Sequence, residues 1–204
     1  MSRKLRVIGL TGQTGAGKST VSEVFQKRGF AVVNADLIAR KVAEPSHPCL
    51  HEVFAAFGET VRCPDGTLNR KALAAIVFHD RAQLERLNGI MYPHITAMVR
   101  EAFAEAERQG KIFALLDAPT LFESGEDALC DCIVSVIAPK DVRKQRIMAR
   151  DGLTASEADA RMNAQLSEEF FTEHSDLVIR NDGTIRDLAA AAENAAAQII
   201  QQYK

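Results

Sequence analysis

An α/β fold, with a five-stranded parallel sheet sandwiched by helices and a helical insert, is what this sequence predicts. Three observations carry the prediction. Five short apolar runs alternate with segments of helical spacing: Leu5 to Leu10, Phe30 to Val33, Ile112 to Asp117, Ile133 to Ile137 and Asp176 to Arg180. A glycine-rich stretch, GQTGAGKST from Gly12 to Thr20, follows the first run and opens a helix. Between the second and third runs, residues 45–109 hold no convincing strand. The 204 residues are 47% hydrophobic, enough for one well-packed core with room for a small insert domain.

The first run, Leu5 to Leu10, is nearly continuous in apolar residues, as a strand buried in a parallel sheet requires. Gly12, Gly17, Lys18 and Ser19 then match G-x-x-x-x-G-K-[ST], the phosphate-binding P-loop. Its glycines let the backbone approach a ligand without a Cβ clash. The N–H groups from Gly15 through Ala16, Gly17, Lys18, Ser19 and Thr20 can converge on phosphate oxygens at a positive helix end. Lys18 would reach the β- and γ-phosphates of a nucleoside triphosphate, and the Ser19 hydroxyl would bind Mg²⁺. The architecture expected is therefore the P-loop NTPase fold, in the form of a small kinase.

In the helix after the loop, Val21, Val24, Phe25 and Arg28 share a face, and Gly29 is placed to end it. Strand, helix and strand to Val33 form a βαβ unit, with Asp36 just beyond the second strand and next to the P-loop. Leu37, Ile38 and Val42 continue as a helix, broken by Pro45 and Pro48. Leu50 to Phe57 makes another helix, stopped by Gly58, and Pro64-Asp65-Gly66 is a turn. Helices over 68–78 and over about 82–109 follow, the second interrupted at Pro93. After the fourth strand, Pro139 opens a helix with Arg143, Arg146 and Arg150 on one face. Thr154 and Glu157 make a capping box for a helix running to about Leu166. A last helix spans about Thr184 to Tyr203, with Leu188, Ala192, Ala195 and Ile199 facing the sheet. The expected division is a core of 1–44 and 110–204, with a lid at about 143–168, and an insert of 45–109.

Net charge is −2, so no basic field invites nucleic acid. The N-terminal apolar run is too short to span a membrane and leads into the P-loop, so it reads as a strand and not as a signal peptide. A cytoplasmic protein is expected. Cys49, Cys63, Cys130 and Cys132 have no zinc spacing and read as ordinary thiols. The histidines, among them His79 and His94, form no paired metal spacing and read as surface or core residues.

A kinase also needs an acceptor base and cations on the migrating phosphoryl group. Asp36 can serve as that base or can cap the helix at Leu37. Arg146 and Arg150 can form a lid over the triphosphate or a solvated basic face. Asp117, ending its strand as a Walker-B aspartate does, and Glu123 can hold a water on Mg²⁺ or cap helices.

The segments GQTGAGKST, VVNADLIAR (32–40), DGTLNRKAL (65–73), LNGIMYPHI (87–95), APTLFE (118–123) and QRIMARDG (145–152) stand in the order that resembles dephospho-CoA kinases, over nearly the whole chain to about Gly183. The resemblance implies transfer of the ATP γ-phosphate to the ribose 3′-hydroxyl of dephospho-CoA, with Mg²⁺. It implies Asp36 as general base, Arg146 as a lid arginine on the ATP phosphates, and Asn181 to Gly183 as the loop passing the adenine. It also implies Arg40, Leu68, Arg70, Asn88, Pro93, Pro119, Leu121 and Glu123 as substrate-side residues. Asn34 stands where the family often has aspartate, and Tyr92 where it usually has histidine. A monomer or weak homo-oligomer is expected. The competing readings are another small-molecule or nucleotide kinase, and a non-catalytic ATP-binding module.

Overall fold

The computed structural model describes residues 4–77 and 80–203; the expected helix end at Phe78 and the reading of His79 lie outside the described residues. The strands are β1 (Arg6–Gly12), β2 (Ala31–Asn34), β3 (Phe113–Asp117), β4 (Cys132–Ile137) and β5 (Leu177–Arg180), in the order β2-β3-β1-β4-β5. Pairing is parallel, with Leu10 opposite Asp117 on one side of β1 and Gly12 opposite Val136 on the other. β3 therefore separates β2 from β1. The βαβ unit expected from the sequence thus joins two strands that are not neighbours in the sheet.

The first compact unit covers Met1–Val33 and Phe103–Lys204. Ile8, Leu10, Val134 and Val136 of the central strands are buried against α1 (Lys18–Lys27) and α9 (Ile185–Gln202). Phe25 is fully buried and meets Phe30 edge-on at 4.9 Å, and Phe30 stacks on Phe113 at the same distance. Truncating Phe25 to Ala would cost about 3–5 kcal/mol by the usual core scale. Leu188, Ala192, Ala195 and Ile199 of α9 are buried as their spacing predicts, and Thr184 caps α9 through a capping box with Asp187.

Opposite the phosphate loop's end of β1, Asp131 fastens the sheet. Its carboxylate accepts from Val7 N–H at 2.8 Å and from Arg6 at 2.9 Å, and its carbonyl accepts from the Tyr203 hydroxyl at 2.8 Å. Burial is the main reason that the Cys130 and Cys132 thiols are pushed up to about 12. Both are free, and both are protonated at neutral pH, as the reading of ordinary thiols requires.

The second unit, Asn34–Ala102, holds α2 (Ala35–Val42), α3 (Pro48–Phe57), a 3₁₀ turn at Glu59–Val61, α4 (Arg70–Val77) and most of α5 (Arg81–Arg108). Val42, Leu50, Val53 and Val61 are buried within it. It begins at Asn34 and not at the sequence boundary of 45, because Pro45 and Pro48 break the helical pattern but not the packing of α2 on α3. Its last residue is Ala102, ahead of the expected 109, and Ala106 on the final turns of α5 is buried.

Three helix expectations change. α5 runs through Pro93 without a break, although proline removes one backbone bond there. α7 (Ala155–Asn163) stops before Leu166 at an Ala164 cap, and α8 (Glu168–Glu173), capped by Ser167, was not foreseen. Asn34, not Asp36, caps α2: its Oδ1 accepts the Leu37 N–H at 2.9 Å. Asn caps as well as Asp does, so the asparagine keeps the helix start and gives up only a charge.

Candidate active site

The phosphate loop is shaped by what surrounds it. Gly12 has φ 128°, and a Cβ there would lie 2.1 Å from the Val136 carbonyl oxygen of β4. Gly17, the residue before α1, has φ 105°, and a Cβ there would lie 2.6 Å from Asn181 Nδ2 and 2.9 Å from Leu188 Cδ2. Both positions require a left-handed backbone and empty space, which only glycine offers. Gly17 gives α1 no side-chain cap, so the first amides of the helix stay open to an anion.

Asn181 follows β5 and is buried. Its Nδ2 donates to the Ala16 carbonyl at 2.7 Å. The side chain thus holds the phosphate loop from behind. Asn181 Oδ1 has no partner. Asn181 also lines a pocket of about 120 Å³ with Ile137, Ala138, Pro139, Glu168, Arg180 and Asp182. Gly183, beside that pocket's Asp182, is pressed by the Asp187 carboxylate that caps α9; a Cβ would meet it at 2.8 Å.

Lys18 Nζ donates to the carbonyls of Gly12 at 2.8 Å and Gln13 at 3.3 Å, which bridges the ends of the loop. Ser19, one residue further along α1, is exposed. Asp117 is buried at the carboxyl end of β3, in register with Leu10 two residues before Gly12. A hydroxyl and a carboxylate are hard oxygen donors, the set that suits Mg²⁺. No cluster of three or more metal-binding side chains exists among the described residues.

The loop after β3 divides the expected substrate contacts. Leu121 is fully buried, its Cδ2 filling the space a Cβ at Gly9 would take, so it supports β1 and does not face solvent. The Pro119 carbonyl accepts from the buried Thr11 hydroxyl at 3.4 Å. Glu123 is exposed as a residue, yet desolvation of its carboxyl raises its pKa, opposed in part by the charge of Lys18. Glu126 was not foreseen: it is buried on a 3₁₀ turn at Glu126–Leu129, its Oε1 unpartnered, and burial raises its pKa against the Ser124 hydroxyl bond at 3.1 Å.

The three arginines of α6 (Lys140–Asp151) separate in the structure. Arg143 is buried and its Nε donates to the Ala138 carbonyl at 3.0 Å. Arg146 reaches the phosphate loop, donating to the Gly15 carbonyl at 3.3 Å. Arg150 is held by Asp151 through two bonds of 2.7 and 2.8 Å, shared with Arg161. Of the two expected lid arginines, only Arg146 touches the loop.

In the second unit, Asp36 lies in the first turn of α2 and Arg40 one turn later, both exposed. Leu68 bridges to Arg62 in an isolated antiparallel pair, and Arg70 opens α4 exposed. Asn88 and Pro93 are carried by α5. His94 pairs with Glu52 at 3.0 Å and stands edge-on to His47 at 5.4 Å, contacts internal to the unit.

The sequence profile described as CoaE, dephospho-CoA kinase, matches residues 6–187. The chain belongs to the dephospho-CoA kinase family. A dephospho-CoA kinase of Anaeromyxobacter dehalogenans is 44% identical over 195 residues, covering 96% of this chain and 92% of the relative. A Thermus thermophilus protein of known crystal structure, TT1252, superposes with TM-score 0.82 at 33% identity, covering 96% of this chain and 98% of the other. The dephospho-CoA kinase of Campylobacter jejuni follows with TM-score 0.71 at 26% identity, covering 97% and 98%. The family's fold accounts for the five-stranded sheet, and the P-loop residues occupy its phosphate end.

Proposed function

We propose that this protein transfers the γ-phosphate of ATP to the ribose 3′-hydroxyl of dephospho-CoA, giving coenzyme A and ADP. The observation that carries the reading is a family match from residue 6 to residue 187 over a chain whose P-loop is complete. The amides of Gly15 to Thr20 and the Lys18 ammonium bind the phosphates, and the open N-terminus of α1 adds its dipole to them. Arg146, already at Gly15, turns to the migrating phosphoryl group. The adenine enters the pocket walled by Ile137, Ala138 and Pro139, beside the 181–183 backbone.

Ser19 and Asp117 would hold Mg²⁺, directly or through water. When bound, that ion supplies Lewis-acid charge to the phosphoryl oxygens. Asp36 accepts the proton of the 3′-hydroxyl as that oxygen attacks phosphorus, and Arg40 on the same helix serves the acceptor's negative phosphates. Arg70 and Asn88 belong to the same acceptor side. No described helix is long and apolar enough to cross a membrane, and the reaction is one of small soluble metabolites in the cytoplasm.

A coupled ADP-release assay with ATP and Mg²⁺ tests the reading, offering dephospho-CoA, adenosine and shikimate in parallel. Turnover with dephospho-CoA and none with the others is expected. Turnover with another acceptor and none with dephospho-CoA would overturn it.

A further inference from the structure

The segment after α7 touches the phosphate loop at a point the transfer scheme leaves unused. Gln165 is half-buried, and its Oε1 accepts the Thr14 N–H at 2.8 Å across 151 residues of chain. A backbone N–H only donates, so the amide must present its oxygen there, and the side-chain orientation follows from chemistry. Gln165 is itself held in place, its own N–H donating to the Met162 carbonyl at 3.3 Å. Met162 belongs to a small core with Ile147 and Ala158 that fastens α7 to α6, reinforced by Lys144 on Asp159 at 2.6 Å.

Other loop amides find different acceptors: Ala16 N–H donates to Gln13 O and Thr20 N–H to Gly17 O within the loop, and Gln13 N–H to the Val136 carbonyl of β4, each at 3.2 Å. Of these four amides, Thr14 is the one satisfied from the α6–α7 side. One residue on, Arg146 donates to the Gly15 carbonyl at 3.3 Å, and α6 approaches so closely that a Cβ at Gly15 would lie 2.9 Å from the Arg143 carbonyl. Two peptide planes of the loop, 13–14 and 15–16, are thus fixed by one α6–α7 body, one through its N–H and one through its C=O. A phosphate cradle depends on such planes, because its amides must turn toward the anion and its carbonyls away.

We propose that Gln165 is a positioning residue for phosphoryl transfer: through the Thr14 amide it holds the phosphate loop in its ATP-ready shape and links that shape to the lid. The proposal rests on the reading of the loop as an ATP site. It does not depend on which acceptor is used.

The test uses the full chain with Gln165→Met, which keeps the length and loses the acceptor, and Gln165→Asn, which stays polar but is one methylene short. ATP affinity is measured by titration with Mg²⁺, Thr14 amide protection by hydrogen exchange in NMR, and melting temperature by calorimetry. Both variants should weaken ATP binding roughly three- to tenfold, the span of one neutral hydrogen bond. Both should also lose Thr14 protection while melting within a degree or two of the parent. KM for dephospho-CoA should stay put. Unchanged ATP affinity in both variants overturns the proposal, as does a fall in melting temperature that accounts for the whole loss of binding. Because ATP titration needs no acceptor, a parent protein that binds ATP but ignores dephospho-CoA refutes the acceptor assignment and leaves this result readable.

Discussion

At the phosphate loop, the candidate binding groups are backbone amides and one lysine, held by neighbours far apart in sequence. Val136 leaves room only for glycine at 12, Asn181 supports Ala16, Arg146 meets Gly15 and Gln165 meets Thr14. In the Asn34–Ala102 unit the candidates are the exposed side chains of Asp36, Arg40 and Arg70, standing on helices whose buried faces lie elsewhere. The contrast teaches where substitutions should act. Changes behind the loop should alter ATP binding, because they move backbone, and at the buried Asn181 they should lower stability as well. Changes at the exposed residues should alter chemistry or acceptor binding and leave the fold alone.

Lys18→Ala should show the largest kinetic loss. Without the ammonium, turnover in the ADP-release assay should fall by about 10³ or more, the scale of a lost transition-state charge contact. Asp36→Asn comes next: kcat should fall roughly 10²–10⁴, the range of a lost general base. Its melting temperature should hold, since Asn34 caps α2.

Asn181→Ala should behave in the opposite way. It frees the buried Ala16 carbonyl and opens a void beneath Gly17, so stability should drop by about 1–3 kcal/mol in urea unfolding. KM for ATP should rise with it. A kinetic change with no change in stability would show that Asn181 contacts nucleotide and does not brace the loop.

Glu126→Gln should give the smallest effect, visible only against pH. Burial raises the Glu126 pKa in the folded state, so the unfolded chain releases that proton first as pH rises. The folded protein is therefore relatively favoured below the ordinary carboxylate pKa, and loses that advantage as pH climbs through the raised value. Glu126→Gln should remove this component, flattening the fall in melting temperature between mildly acid and neutral pH. An unaltered slope would place the Glu126 carboxyl in contact with water.

Local signals carried most of the fold. All five strands appear within one or two residues of their apolar runs, because continuous burial needs continuous apolar sequence. The capping boxes at Thr154 and Thr184 form because their residues are three apart in sequence. α8 was also readable, since Ser167 followed by Glu168 and Glu169 is a helix start, but its short length hid it. What the sequence concealed is long-range. The burial of Leu121 against Gly9, the interposition of β3 between β1 and β2, and the bond from Gln165 to Thr14 join residues with no local spacing. Asn181 is the instructive case. Family resemblance gave its neighbourhood, and only the geometry gave its bond to Ala16.

ATP titration of Asp36→Asn, set beside its turnover, tests most directly whether phosphate holding and acceptor activation are separate tasks of separate residues. The account predicts an ATP affinity equal to the parent's while kcat collapses. Undiminished kcat, or ATP affinity lost in step with kcat, would contradict it.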